Sequence, residues 1–219
     1  MNQNFDVEFA KSYLGRFLEG YGEVMVCQRI FLEEGKKNVW FIPKSEKIAA
    51  LRRDLGILGR MAANSCVFDP LPEVELDKSL YETEEEIQEE IKFEKDNQIR
   101  DSMSKLLIIF GQINRLEKRH KINFPESYLP KLWILTPTAM TSTLSGFGAN
   151  THKKWLPGIY FMPPAFHTTI VAIDELPQTP ETLWLRLLGP EEMQKQAIKE
   201  VENLSTDNPL RSTALELLS

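Results

Sequence analysis

The chain has 219 residues, 42% hydrophobic and 26% charged, the balance of an ordinary globular protein long enough to bury a core. Its formal net charge of −6 disfavours nonspecific nucleic-acid binding, because no basic face is offered to phosphates. No stretch approaches the roughly 20 apolar residues that cross a bilayer, and the opening MNQNFDVEFAKSYL lacks a basic segment followed by an apolar run, so a soluble cytoplasmic chain is expected, with no membrane association.

Phe5, Phe9, Tyr13 and Phe17 recur every four residues and predict a helix over 5–19, stopped by Gly20 and Gly22. EVMVCQRIFL and NVWFIPK, rich in β-branched and aromatic residues and separated by EEGKK, read as an antiparallel hairpin. Residues 46–63 read as a helix in which Gly56 and Gly59 would let another backbone approach closely. SCVFDPLP follows as a short buried strand. Cys27 and Cys66 sit among apolar residues, as small hydrophobes in a reducing compartment would, with a single disulfide as the alternative.

From Tyr81 to His120 apolar residues at helical spacing (Ile87, Ile91, Ile99, Met103, Leu106, Phe110, Ile113) predict one long helix or two in line. Its acidic start suits the positive end of the helix dipole and reads as a solvated face. The glutamates spread round the helix, whereas a cation site needs convergent ligands. KLWILTPT reads as an apolar strand; its alternation does not show whether one face or both are buried, and its uniform apolarity suggests both. Thr138 or Thr141 is the candidate cap of a short helix over AMTSTLSGF, followed by a loop, GFGANTHKKWLPG, and a second hairpin from GIYFMP and HTTIVAIDELP. Three helices then run through ETLWLRLLG, through Leu204, and from Pro209 onward.

The predicted class is therefore α/β, a mixed β-sheet flanked by helices with a small C-terminal helical bundle. Residues 1–177 form the α/β domain and 178–219 a helical appendage packed on it. Nucleotide-loop, nucleophile-elbow, zinc-protease and paired CxxC motifs are absent from the sequence. His120, His152 and His167 show no ligand spacing with the two cysteines.

The segments LPQTPETLWLRLLG, QKQAIKEV, DNPLRSTALELL, GILGRMAAN and KLWILTPT resemble a group of cyanobacterial proteins. That group is similar to the recombination-promoting nuclease and transposase-like branch of the PD-(D/E)XK superfamily. The resemblance implies a restriction-endonuclease-like core of one helix, three strands, a helix and a further strand, into which the helix at 46–63 is an insertion. It also implies a divalent-metal site. Two carboxylates on adjacent strands hold the metal, and a lysine two residues beyond the second orients water or stabilises phosphate charge. Asn38 stands where the first aspartate belongs, and an amide is a poorer ligand for a hard cation. Asp69 supplies the second carboxylate, with Leu71 in the place of the lysine.

Two expectations follow. The first is a non-catalytic nuclease-like scaffold that needs no cofactor and acts through contacts with a protein partner or further copies of itself, with Phe147 and Trp155 as candidate interface residues. The alternative is a Mg-dependent DNA endonuclease with a displaced active site, for which Asn38, Asp69 and Lys44 are the candidate catalytic residues.

Overall fold

The computed structural model describes residues 6–26, 39–121 and 129–218. The first helix, α1 (Val7–Leu18), begins where Asp6 accepts hydrogen bonds from the amides of Glu8 at 2.8 Å and Phe9 at 3.3 Å, capping two otherwise unpaired donors. Its stripe of Ala10, Tyr13, Leu14, Phe17 and Leu18 is buried. The strands are β1 (Gly22–Val26), β2 (Val39–Pro43), β3 (Cys66–Pro70), β4 (Lys131–Thr136), β5 (Asn150–Thr151), β6 (Ile159–Phe161) and β7 (Thr168–Ala172). They form one sheet in the order β1-β2-β3-β4-β7-β6-β5. The outer pairs are antiparallel, while β3, β4 and β7 run parallel, so the sheet is mixed.

The remaining helices are α2 (Ile48–Met61), α3 (Glu84–His120), α4 (Thr141–Gly146), α5 (Leu183–Arg186), α6 (Glu191–Glu202) and α7 (Pro209–Leu218). Alternation along the strands sends side chains to two cores. Phe41, Cys66, Phe68, Trp133, Leu135 and Val171 meet α1, α2 and the C-terminal helices on one face. Val67, Leu132, Ile134 and Ile170 meet α3 and α4 on the other. Both faces of β4 are thus covered, which explains its unbroken apolar run.

The C-terminal helices share the first of these cores. Leu183, Trp184, Leu187, Ala197, Val201 and Ala214 pack with the α1 and α2 side chains. The Tyr13 hydroxyl donates to the Trp184 carbonyl at 2.9 Å, and the Trp184 indole donates to the Asp54 carbonyl at 2.9 Å.

Three local expectations are corrected. No threonine side chain caps α4, whose N-terminal flanking residue is Met140; Thr138 is engaged by Lys95 instead. The segment read as loop after Phe147 contains β5, two residues held against β6. The helix expected through ETLWLRLLG is a 3₁₀ turn over Pro180–Thr182 followed by the single turn of α5, because Thr182 donates its hydroxyl back to the Pro177 carbonyl and tightens the entry. The EEGKK turn, Cys27 and Asn38 lie outside the described residues.

Inside α2, Gly56 has φ 55° and ψ −124°, a conformation reserved in practice for glycine, and α2 kinks there. A Cβ at Gly56 would lie 2.4 Å from the Glu181 carbonyl oxygen, so the expected close approach of a second backbone is real. Gly56→Ala is therefore expected to destabilise the fold by about 2 kcal/mol or more, from left-handed strain plus the clash. A urea titration followed by circular dichroism reads the loss, and an unchanged midpoint contradicts this account.

Candidate functional site

Residues that carry chemistry gather at the carboxyl ends of β3 and β4, where open α/β sheets ordinarily place their sites. Asp69, on the same face of β3 as Val67 and Leu71, points under α3 and is 2% exposed. Two α3 side chains meet it. Lys105, 9% exposed, donates from Nζ to Asp69 Oδ2 at 2.9 Å, and Ser102, fully buried, donates its hydroxyl to the same oxygen at 2.6 Å. Asp101, one turn before Lys105, adds a second carboxylate 3.5 Å from Nζ.

A second α3 lysine is enclosed near the turn after β4. Lys95, 5% exposed, reaches Glu73 Oε1 at 3.1 Å, the Thr138 carbonyl at 3.1 Å and the Thr138 hydroxyl at 3.0 Å. An ammonium has three protons to donate, and here each finds an acceptor. Thr136 donates to the same Thr138 carbonyl at 2.7 Å, which fixes the turn after β4.

Beyond β7, burial and then the neighbouring Glu175 push the Asp174 carboxyl above its ordinary value. Burial, and then the hydrogen bond that the Tyr160 hydroxyl donates to Glu175, push the Tyr160 phenol up to about 12. The Asp174 amide donates to the Pro137 carbonyl at 3.1 Å, tying the ends of β7 and β4 together. Between Lys95 and Thr143 lies a cavity of about 10 Å³, room for a single water at most, so no organic ligand enters.

The residues singled out in the sequence fall apart in space. Lys44 is exposed and follows Pro43 at the far end of β2. Since Phe41 pairs with Cys66, Lys44 and Asp69 are separated by six residues of strand, about 20 Å. Asn38 lies outside the described residues. Phe147 and Trp155 are both half-buried. Phe147 packs on the α3-side core beneath Arg100, and Trp155 sits between Trp133, Phe161 and the Arg60 guanidinium.

Two of the buried polar residues on α3 did leave a trace in the sequence. Lys95 and Ser102 fall where the stripe of Ile91, Ile99 and Leu106 requires buried positions, so polar residues there had to find polar partners inside.

The fold and this buried cluster define a mixed α/β protein whose strand-end carboxylates are held by lysines from a crossing helix. No family model, curated protein or solved structure matches the chain.

Proposed function

We propose that the chain is a non-catalytic scaffold on a nuclease-like order of elements, acting through contacts with a protein partner or with further copies of itself. The observation that carries this reading is the state of Asp69. Its carboxylate is enclosed with an ammonium and a hydroxyl, so a divalent cation would have to displace Lys105 from a site with almost no solvent access. The described residues around Asp69 do not fit a magnesium site. Among the described residues no group of three or more acidic, histidine or cysteine side chains converges as metal ligands.

A contact surface is available elsewhere. On the outward side of α3, Phe93, Leu107 and Ile108 are 57%, 65% and 44% exposed, apolar residues placed where the helix faces solvent. Such residues become anchors when a partner removes them from water. Photo-crosslinking from position 107 of the full chain, in native lysate, is expected to yield a discrete adduct that Ile108→Glu suppresses. A monomeric profile at high concentration together with no adduct contradicts the proposal.

A Mg-dependent DNA endonuclease is the second reading, favoured by one observation. The amine that position 71 lacks is brought to Asp69 by Lys105 on α3. Purified chain incubated with linear, supercoiled and single-stranded DNA in magnesium or manganese separates the two readings. The scaffold reading expects intact DNA. Cleavage that survives purification and disappears in the charge-free Asp69→Asn, Lys105→Met pair favours the nuclease.

A further inference from the structure

Lys131, the first residue of β4, stands apart from the other enclosed lysines. Lys11, Lys95 and Lys105 each have a carboxylate within ion-pair distance. Among the described residues Lys131 has no carboxylate and no hydrogen-bond acceptor at its amine. Its Nζ lies between two aromatic rings, 4.5 Å from the Trp133 centroid and 4.3 Å from the Phe161 centroid. The backbone is pinned, with the Lys131 amide donating to the Ser65 carbonyl at 3.1 Å and the residue paired to Cys66.

Among the described residues, the groups that surround it supply no negative charge. Trp155 packs against both rings at centroid distances of 5.4 Å, and its outer face carries the Arg60 guanidinium of α2 at 3.9 Å. His152, in the turn after β5, meets Phe161 edge-on at 5.8 Å. Among the described residues, Arg60 and His152 are the charged or titratable groups in this stack, and neither carries negative charge that would hold Lys131 as an ammonium.

We propose that Lys131 is a selectively acylated amine, a modification site for small activated acyl donors of the acyl-phosphate class. The Nζ lone pair attacks the acyl carbon and forms the N–C bond. The bond from that carbon to the phosphate oxygen breaks, phosphate departs with the electron pair, and one proton passes from nitrogen to water. The product is a neutral amide whose acyl group lies along ring faces. No ion pair is broken, whereas acylation of Lys95 or Lys105 would strand a carboxylate.

The chemistry of the amine supports the geometry. Burial lowers Lys131 from 10.5 to about 8, while the ring faces, which favour the cation, offset part of that fall. The reactive form is the neutral amine. At pH 8 a group titrating near 8 is half neutral, against roughly one in 300 for an ordinary lysine, and even a partial offset leaves an advantage of ten-fold or more.

The test is limited acetylation of the full chain by acetyl phosphate from pH 6 to 10, with site-resolved mass spectrometry and the exposed Lys153 and Lys154 as internal references. The expected initial rate at Lys131 exceeds that at Lys154 at least ten-fold at pH 7.5 and levels off before pH 10, while the references keep rising. Phe161→Leu, checked for folding by circular dichroism, is expected to reduce the ratio at least three-fold by opening the cage to water. Equal rates at Lys131 and Lys154, a Lys131 rate still climbing at pH 10, or an unlabelled Lys131 each overturn the proposal.

Discussion

Lys105→Met is expected to lower stability by about 3–5 kcal/mol, the cost of leaving one member of a buried ion pair without its partner. The stranded group is Asp69, whose side chain is 3% exposed and whose remaining donor is the Ser102 hydroxyl. A carboxylate so enclosed either stays charged with one hydrogen bond or takes up a proton, and both cost free energy. Adding Asp69→Leu is expected to recover most of the loss, since an apolar pair of similar volume needs no compensation. Ser102 is not orphaned in the double variant, because the Gln98 carbonyl lies 3.1 Å from its hydroxyl. Urea denaturation of the two single variants and the double variant closes the cycle. A double variant no more stable than Lys105→Met alone would mean that the pair is not what the lysine serves.

Arg186→Ala is expected to cost about 2–4 kcal/mol, through both lost packing and orphaned acceptors. Arg186 has no solvent exposure. Its guanidinium donates from Nη1 and Nη2 to the two Glu200 oxygens at 2.8 and 2.6 Å, from Nη2 to the Thr179 carbonyl at 3.0 Å, and from Nε to the Thr182 hydroxyl at 3.1 Å. One side chain thus fastens the turn before α5 to α6. The loss is smaller than for Lys105 because the Glu200 side chain is 35% exposed and regains water when its partner goes. Arg186→Lys is expected to recover only a part, since an ammonium cannot reproduce the fork. Thermal melts of the three forms decide the order.

The same contact sets a pH dependence. The Arg186 guanidinium beside Glu200 holds its carboxyl below the ordinary 4.5. A lowered folded-state pKa means that the unfolded chain binds the proton first, so the contribution is complete above about pH 4.5 and is lost as pH falls through the folded value. Denaturation midpoints measured from pH 7 down to 3 are expected to fall less steeply in Glu200→Gln than in the natural chain.

If the Lys105 and Asp69 pair behaves as a structural clamp, the buried cluster at the strand ends is a joint rather than a reaction centre, consistent with a scaffold role. If instead both substitutions leave stability unchanged, the pair is free for chemistry and the nuclease reading gains. The outward face of α3 bears on neither result, because Leu107 and Ile108 lie on the side of the helix turned away from Asp69.

Local pattern predicted helix from Tyr81 to His120, through the stripe of Ile99, Leu106 and Phe110 and an interior without proline, and left one helix or two in line open; the structure shows the single helix α3, started by a Thr83 to Glu86 capping box. Local pattern also determined the strand beginning at Lys131, whose apolar run has no other use than burial on both faces. What one sequence could not state was which lysine meets which carboxylate. Asp69 and Lys105 are 36 residues apart, and Lys131 faces Phe161 across the intervening β7, pairings created by strand order and by the direction in which α3 crosses the sheet. Lys44, adjacent to a strand and close to Asp69 in the linear reading, was carried to the far end of the sheet by an antiparallel register that sequence spacing does not contain. Periodicity is a local property of the backbone and survives in one dimension, whereas a site is a meeting of side chains in three, and here only the packed sheet and helices decide who meets.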